Sequence, residues 1–234
     1  MLLSGAIGGA VLILMVTLWY PWPLFEAAGG SRLICVLAGV NVTLGPLITL
    51  IIFKTGKKGL KFDLTVIALL QIAALAYGIH TVYLARPVYL VFTIDRFDLV
   101  TAKDLDLQDL DKATNPEFQK LPLGRPHYIA AVMPADPSEK LKILATALAG
   151  KDLQMYPQHY VPYQQEAANA LKRSKPVRAL FERAPEMVQG YLRSAGRSAD
   201  SVTFLPLHAP RTDAAVLLDA VSGAPLEILL VDPW

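Results

Sequence analysis

The side chains that could do chemistry lie scattered along this 234-residue chain. His80, His127, His159 and His208 show neither the H-x-x-x-H nor the H-E-x-x-H spacing that aims two imidazoles at one metal. No G-x-S-x-G elbow and no Gly-rich dinucleotide turn is present. The single thiol, Cys35, sits in an apolar run, which leaves no disulfide framework and no thiolate metal site elsewhere. Asp104, Asp106, Asp109 and Asp111 cluster, but they alternate with leucines and lack the glycine and closing glutamate of an EF-hand. They read as a solvated amphipathic turn. Lys57 follows Gly56, yet Ile51 stands where a P-loop needs its first glycine. The pattern offers no catalytic residue, no metal site and no cofactor site.

Two features read better as binding surfaces. Asp95 and Arg96 follow an apolar run, as a local salt bridge or as a pair facing a partner; the bridge is the reading favoured. Tyr156, Tyr160 and Tyr163 lie in a loop stiffened by Pro157 and Pro162. Rigid tyrosines supply contact area and a hydroxyl at small entropic cost. The same rings could equally close over the core.

The elements that must position these residues divide in two. Between Met1 and Leu84 the charged residues are Glu26, Arg32, Lys54, Lys57, Lys58, Lys61 and Asp63, whereas residues 85–234 carry 17 Lys+Arg against 18 Asp+Glu. Three stretches, residues 2–20, 33–53 and 64–84, meet the requirement of ~20 apolar residues for a bilayer core of ~30 Å. They predict a membrane domain over 1–84 with three transmembrane helices, and an extracytoplasmic domain over 85–234. Trp19, Tyr20 and Trp22 suit a membrane–water boundary better than a cleavage site. Lys54, Lys57, Lys58 and Lys61 crowd one short connection, and the positive-inside rule places it in the cytoplasm. The N-terminus is then cytoplasmic as well.

Inside the expected spans, Gly5 and Gly9 form a G-x-x-x-G spacing that lets helix backbones approach closely, and Asn41 and Gln71 place amides at membrane depth. Self-packing of the three helices is the favoured reading. The alternative is an open face that receives a partner's helix.

In the second part, Val88–Ile94 is a near-continuous apolar and β-branched run and reads as a buried central strand. Asp136, Pro137 and Glu139 mark a helix start, with Leu141, Leu144, Ala145 and Leu148 on one face and Gly150 as the stop. Helical stretches follow over 163–173, 177–183 and 186–193. Strands follow over 202–207, 214–219 and 226–231, the last two joined through Ser222-Gly223. The expected class is a membrane-anchored α+β protein with a mainly antiparallel sheet and several short helices. No basic tract points to nucleic acid.

The stretch Tyr20–Gly30 (YPWPLFEAAGG), with Leu44-Gly45-Pro46-Leu47, Lys57–Asp63 (KKGLKFD), Ala85–Tyr89 (ARPVY) and Asp95-Arg96-Phe97, resembles type IV pilin accessory proteins of the TfpX/TfpZ kind. The match is dense over about 19–97 and thin beyond. The basic stretch that such proteins carry before the first span is missing here. The resemblance implies a bacterial inner-membrane, chaperone-like protein whose partner is a cognate type IV major pilin. It implies no enzymatic activity and transfers no catalytic residue. A membrane-anchored periplasmic sensor or scaffold, binding a small ligand or envelope component, is the competing reading. A homo-oligomer is open.

Overall fold

The computed structural model describes residues 9, 13, 15–31 and 60–234. A π-helical turn at Met15–Trp19 leads, through Tyr20, into the short helix α1 (Leu24–Ala27). The long helix α2 (Leu60–Ala85) has 26 residues, and its window Ala68–Ala85 has a mean hydropathy of 1.5 and is 11% buried. Those eighteen residues rise about 27 Å at 1.5 Å each, and the whole 26-residue helix about 39 Å, which is long enough to cross a hydrocarbon core of ~30 Å.

α2 runs straight into strand β1 (Pro87–Phe92), all six of whose residues are buried. Then come β2 (Phe97–Thr101), α3 (Leu107–Leu110), β3 (His127–Ala131), α4 (Pro137–Ala147), β4 (Tyr160–Pro162), α5 (Tyr163–Arg173), β5 (Lys175–Pro176) and α6 (Pro185–Ser194). Strands β6 (Val202–His208), β7 (Ala214–Asp219) and β8 (Pro225–Leu229) close the fold. One sheet takes the order β4-β3-β1-β2-β6-β7-β8, with β5 paired to β6. β1 with β3 and β2 with β6 are parallel, while the other pairings are antiparallel.

Both faces of the sheet are covered, which is why β1 and the first five residues of β7 are apolar throughout rather than alternating. On one face Leu90, Phe92, Phe97, Leu205, Leu207, Val216 and Leu218 pack against Tyr163 and Ala170 of α5 and against Leu24 and Ala27 of α1. On the other, Tyr89, Val91, Val100 and Ile129 meet Phe118, Ile143, Leu153, Tyr156 and Tyr160. Beyond them, Val188 and Leu192 of α6 cover Phe204, Ala215 and Leu217.

Three expectations need correction. Among the described residues one helix, not three, is long and apolar enough to cross a membrane. The expected span 33–53 lies outside the described residues, as does most of 2–20. The described end of that first stretch is a π-helical turn that stops at the buried Tyr20, so aromatic residues that length and composition assign to a span end are packed into the fold. Second, five of the seven strand pairings are antiparallel, but the sheet is mixed, because β1 with β3 and β2 with β6 are joined by crossovers that return the chain in the same direction. Third, the expected leucine face does not meet the core: Leu141 and Leu144 of α4 and Leu148 just past its end are exposed, and Ile143 is the residue that packs inward. Thr146, three residues on and so on the same face of the helix, meets the Tyr156 hydroxyl at 2.7 Å.

Candidate functional site at the end of the long apolar helix

The last turn of α2 meets three other segments. Tyr20, fully buried, donates from its hydroxyl to the Val82 carbonyl at 3.3 Å. Trp19 stands edge-on to Tyr83, with ring centroids 5.5 Å apart. Its indole N–H donates to the Leu123 carbonyl at 3.0 Å. The chain between Tyr20 and Gly30 folds back with a cis bond at Trp22-Pro23, and Gly30 lies so close to Phe25 that a Cβ would stand 2.4 Å from the ring. The Ala27 carbonyl accepts from the Arg211 and Thr212 N–H groups at 3.2 and 3.4 Å. The Tyr20–Gly30 segment is thus a wedge between helix end and sheet.

Arg86 sits at the centre of this junction and is 0% exposed. Its guanidinium donates to the Tyr83 carbonyl at 2.6 Å and the Pro122 carbonyl at 3.4 Å, and lies 3.8 Å from the Tyr83 ring centroid. No carboxylate pairs with it among the described residues. Residues 1–14 and 32–59 contain no Asp or Glu, and Asp63 lies about 34 Å away along the helix axis. A buried cation held by carbonyls and an aromatic face alone is costly, so Arg86 holds its surroundings in one geometry. Burial lowers its proton affinity, with Tyr83 and Tyr20 opposing. The Ala102 N–H closes the junction by donating to the Arg86 carbonyl at 2.9 Å.

The binding surfaces read from sequence fare differently. Arg96 pairs with Asp98 at 3.0 Å rather than with Asp95, which is exposed at the tip of the β1–β2 hairpin. Burial raises the Asp98 carboxyl, while Arg96 and Thr93 oppose the rise. Of the two readings of the tyrosine loop, closure over the core is the one seen: Tyr156, Tyr160 and Tyr163 are 7%, 2% and 2% exposed. Their hydroxyls engage Thr146, the Gln154 carbonyl and the Gly223 carbonyl. Burial pushes the Tyr160 and Tyr163 hydroxyls well above their ordinary range.

Asn41, Gly5, Lys54, Lys57 and Lys58 lie outside the described residues. Lys61 is in the first turn of α2, and Gln71 is half-buried on the same helix. Gly9 is helical and exposed, with open space where a Cβ would stand, so it makes no close helix contact among the described residues.

The acidic cluster is structural. Asp104 accepts from the Thr101 N–H, Asp106 caps α3, and Asp109 is bonded by Lys112 and Lys151, which hold its carboxyl below the usual range. No group of His, Cys, Asp and Glu among the described residues could hold a metal. A cleft of about 440 Å³ between the hairpin tip and α5 is lined by Ile94, Glu166, Asn169, Lys172 and Arg173. There Asn169 donates to Glu166 at 2.7 Å, an arrangement suited to polar contact rather than to bond breaking.

The junction itself was not anticipated from the sequence. The signal was available in Trp19–Gly30 and Ala85–Tyr89, two of the stretches that carry the family resemblance, which here meet in space.

Two proteins of Dichelobacter nodosus, the fimbrial assembly proteins of serogroups I and E1, are each 30% identical to this chain over 225 residues, covering 93% of it and 87% of each relative. The fimbrial assembly protein of serogroups C1 and C2 is 33% identical over 114 residues, 48% of this chain and 87% of that relative. No family model and no solved structure matches. The chain belongs to the family of these fimbrial assembly proteins.

Proposed function

We propose that this protein is a type IV pilin accessory protein of the TfpX/TfpZ kind, a non-enzymatic, chaperone-like helper that assists assembly of a cognate major pilin. The observation that carries the reading is the similarity to fimbrial assembly proteins along nearly the whole chain. In this reading α2 crosses the bacterial inner membrane. The lysines at 54, 57 and 58 precede it and Lys61 lies in its first turn, so the positive-inside rule puts its start in the cytoplasm and the sheet domain in the periplasm. Because α2 passes into β1 without a linker, the domain stays against the bilayer, where it meets a pilin subunit still held by its membrane segment.

The test is capture of the pilin. With an affinity tag on the C-terminus, membranes are crosslinked in intact cells, dissolved in mild detergent and purified. The cognate pilin should co-purify, and an unrelated membrane protein of equal abundance should not. Equal recovery of both overturns the assignment.

A further inference from the structure

The geometry points to a second membrane contact: the loop from Lys120 to Arg125, beside Trp22, seats the sheet domain on the surface of an anionic bilayer. The inference rests on the reading of α2 as a membrane-crossing helix. β1 leaves the end of α2, and β3 runs parallel to β1 with His127 opposite Tyr89. The loop that enters β3 therefore emerges at the membrane end of the sheet. Two bonds tie it there, from the Trp19 indole to the Leu123 carbonyl and from the buried Arg86 to the Pro122 carbonyl.

The loop sequence is Lys-Leu-Pro-Leu-Gly-Arg. At its tip Leu123 is 67% exposed, an unfavourable place for a leucine in water, and Trp22 is 68% exposed on the wedge that Trp19 binds to the same loop. Lys120 and Arg125 flank the tip, both exposed and without a side-chain partner among the described residues. An apolar tip between two free cations, next to an open indole, matches an interface in which acyl chains begin beneath phosphates. A protein partner would not require that this surface lie level with the end of a spanning helix. The bilayer does, and two contacts would fix the tilt of the domain where a single helix leaves it free to rotate.

The experiment uses the full chain with Cys35→Ser, reconstituted into vesicles of phosphatidylethanolamine and phosphatidylglycerol. An environment-sensitive fluorophore is placed at Leu123→Cys, at Tyr77→Cys on α2, or at Val221→Cys in the β7–β8 turn at the far end of the sheet. Contact is reported by lipids carrying a quencher near the headgroup for the probes at 123 and 221, and by lipids carrying one deep in the acyl chain for the probe at 77, which lies about 12 Å below the end of α2. Quenching and a blue shift are expected at 123 and 77 and neither at 221. The effect at 123 should weaken without phosphatidylglycerol, and the Lys120→Gln, Arg125→Gln double variant should lose that lipid dependence. Quenching at 77 with none at 123 overturns the loop contact alone. No quenching at 77 removes the membrane reading and the loop contact together. Quenching at 123 that ignores both the anionic lipid and the double variant overturns the role of the two cations.

Discussion

Gly223 offers the sharpest test of how the far end of the domain is held. Its φ is +71°, and a Cβ there would stand 2.7 Å from the Ala167 carbonyl oxygen and 3.1 Å from Leu171 Cγ, both on α5. Gly223 also accepts from the buried Tyr163 hydroxyl at 2.7 Å. Gly223→Ala first carries the strain of a left-handed alanine, roughly 1–2 kcal/mol. Relief of the contact requires the turn to lift off α5, since the obstacle is backbone. Lifting it strands the Tyr163 hydroxyl, for about 1–3 kcal/mol more. A total near 3 kcal/mol, at ~2–4 °C per kcal/mol for a domain of this size, lowers Tm by about 6–12 °C. The assay is thermal unfolding followed by tryptophan fluorescence in detergent, with two comparisons. Gly150→Ala shares the positive φ, at +91°, but its Cβ meets nothing within 4 Å, so it reports strain alone. Tyr163→Phe removes only the hydrogen bond, about 1 kcal/mol. If Gly223→Ala were no more harmful than Gly150→Ala, the turn would not be pressed onto α5 and the reasoning would fail.

The two sides of α4 should respond in opposite ways to the same treatment. Ile143→Ala, at a site 2% exposed, should cost about 2–4 kcal/mol, whereas Leu148→Gln, at 94% exposure, should stay within ~0.5 kcal/mol in urea unfolding. The reverse order would restore the leucine face that periodicity suggests. His159 predicts a pH dependence. Burial holds its imidazole below the ordinary 6.5, with Glu139 opposing from 3.5 Å. The unfolded chain therefore takes up this proton before the folded one does. The contribution is present above the unfolded value and is lost as pH falls through the folded one. Between about pH 7 and pH 5, His159→Gln should show a flatter loss of unfolding free energy than the wild type; an unchanged slope would contradict the burial argument.

What could be read from the sequence followed local chemistry. The run at 88–94 marks a strand buried on both faces, which the structure ends at Phe92, leaving Ile94 exposed, and Asp136 caps α4 by accepting from the Glu139 N–H at 3.1 Å. Ser222-Gly223 turns the last hairpin, where Asp219 gathers Arg197 and the Val221 and Ser222 N–H groups. Each signal spans a handful of residues. Non-local pairing left no such mark. β2 hides a buried aspartate, Asp98, neutralised by Arg96 from the hairpin turn, so its sequence does not read as a core strand. β4 is three residues long, and the parallel pairings depend on crossovers that no local pattern encodes. The candidate junction stayed hidden for a related reason. Trp19, Tyr20 and Trp22 have the composition of a membrane boundary, and nothing in that composition separates the buried Tyr20 from the exposed Trp22. Arg86, which has no role in the sequence pattern, gains one from Pro122, distant in sequence and adjacent in space.

The central claim, that this protein serves assembly of a type IV pilin, is tested most directly by counting pili. In a strain lacking the gene and any paralogue, surface pili built from the cognate pilin should be lost or sharply reduced, while the pilin accumulates in the membrane at its normal level. The full chain supplied in trans should restore them. Normal piliation and pilus-dependent motility in the deletion strain would contradict the account.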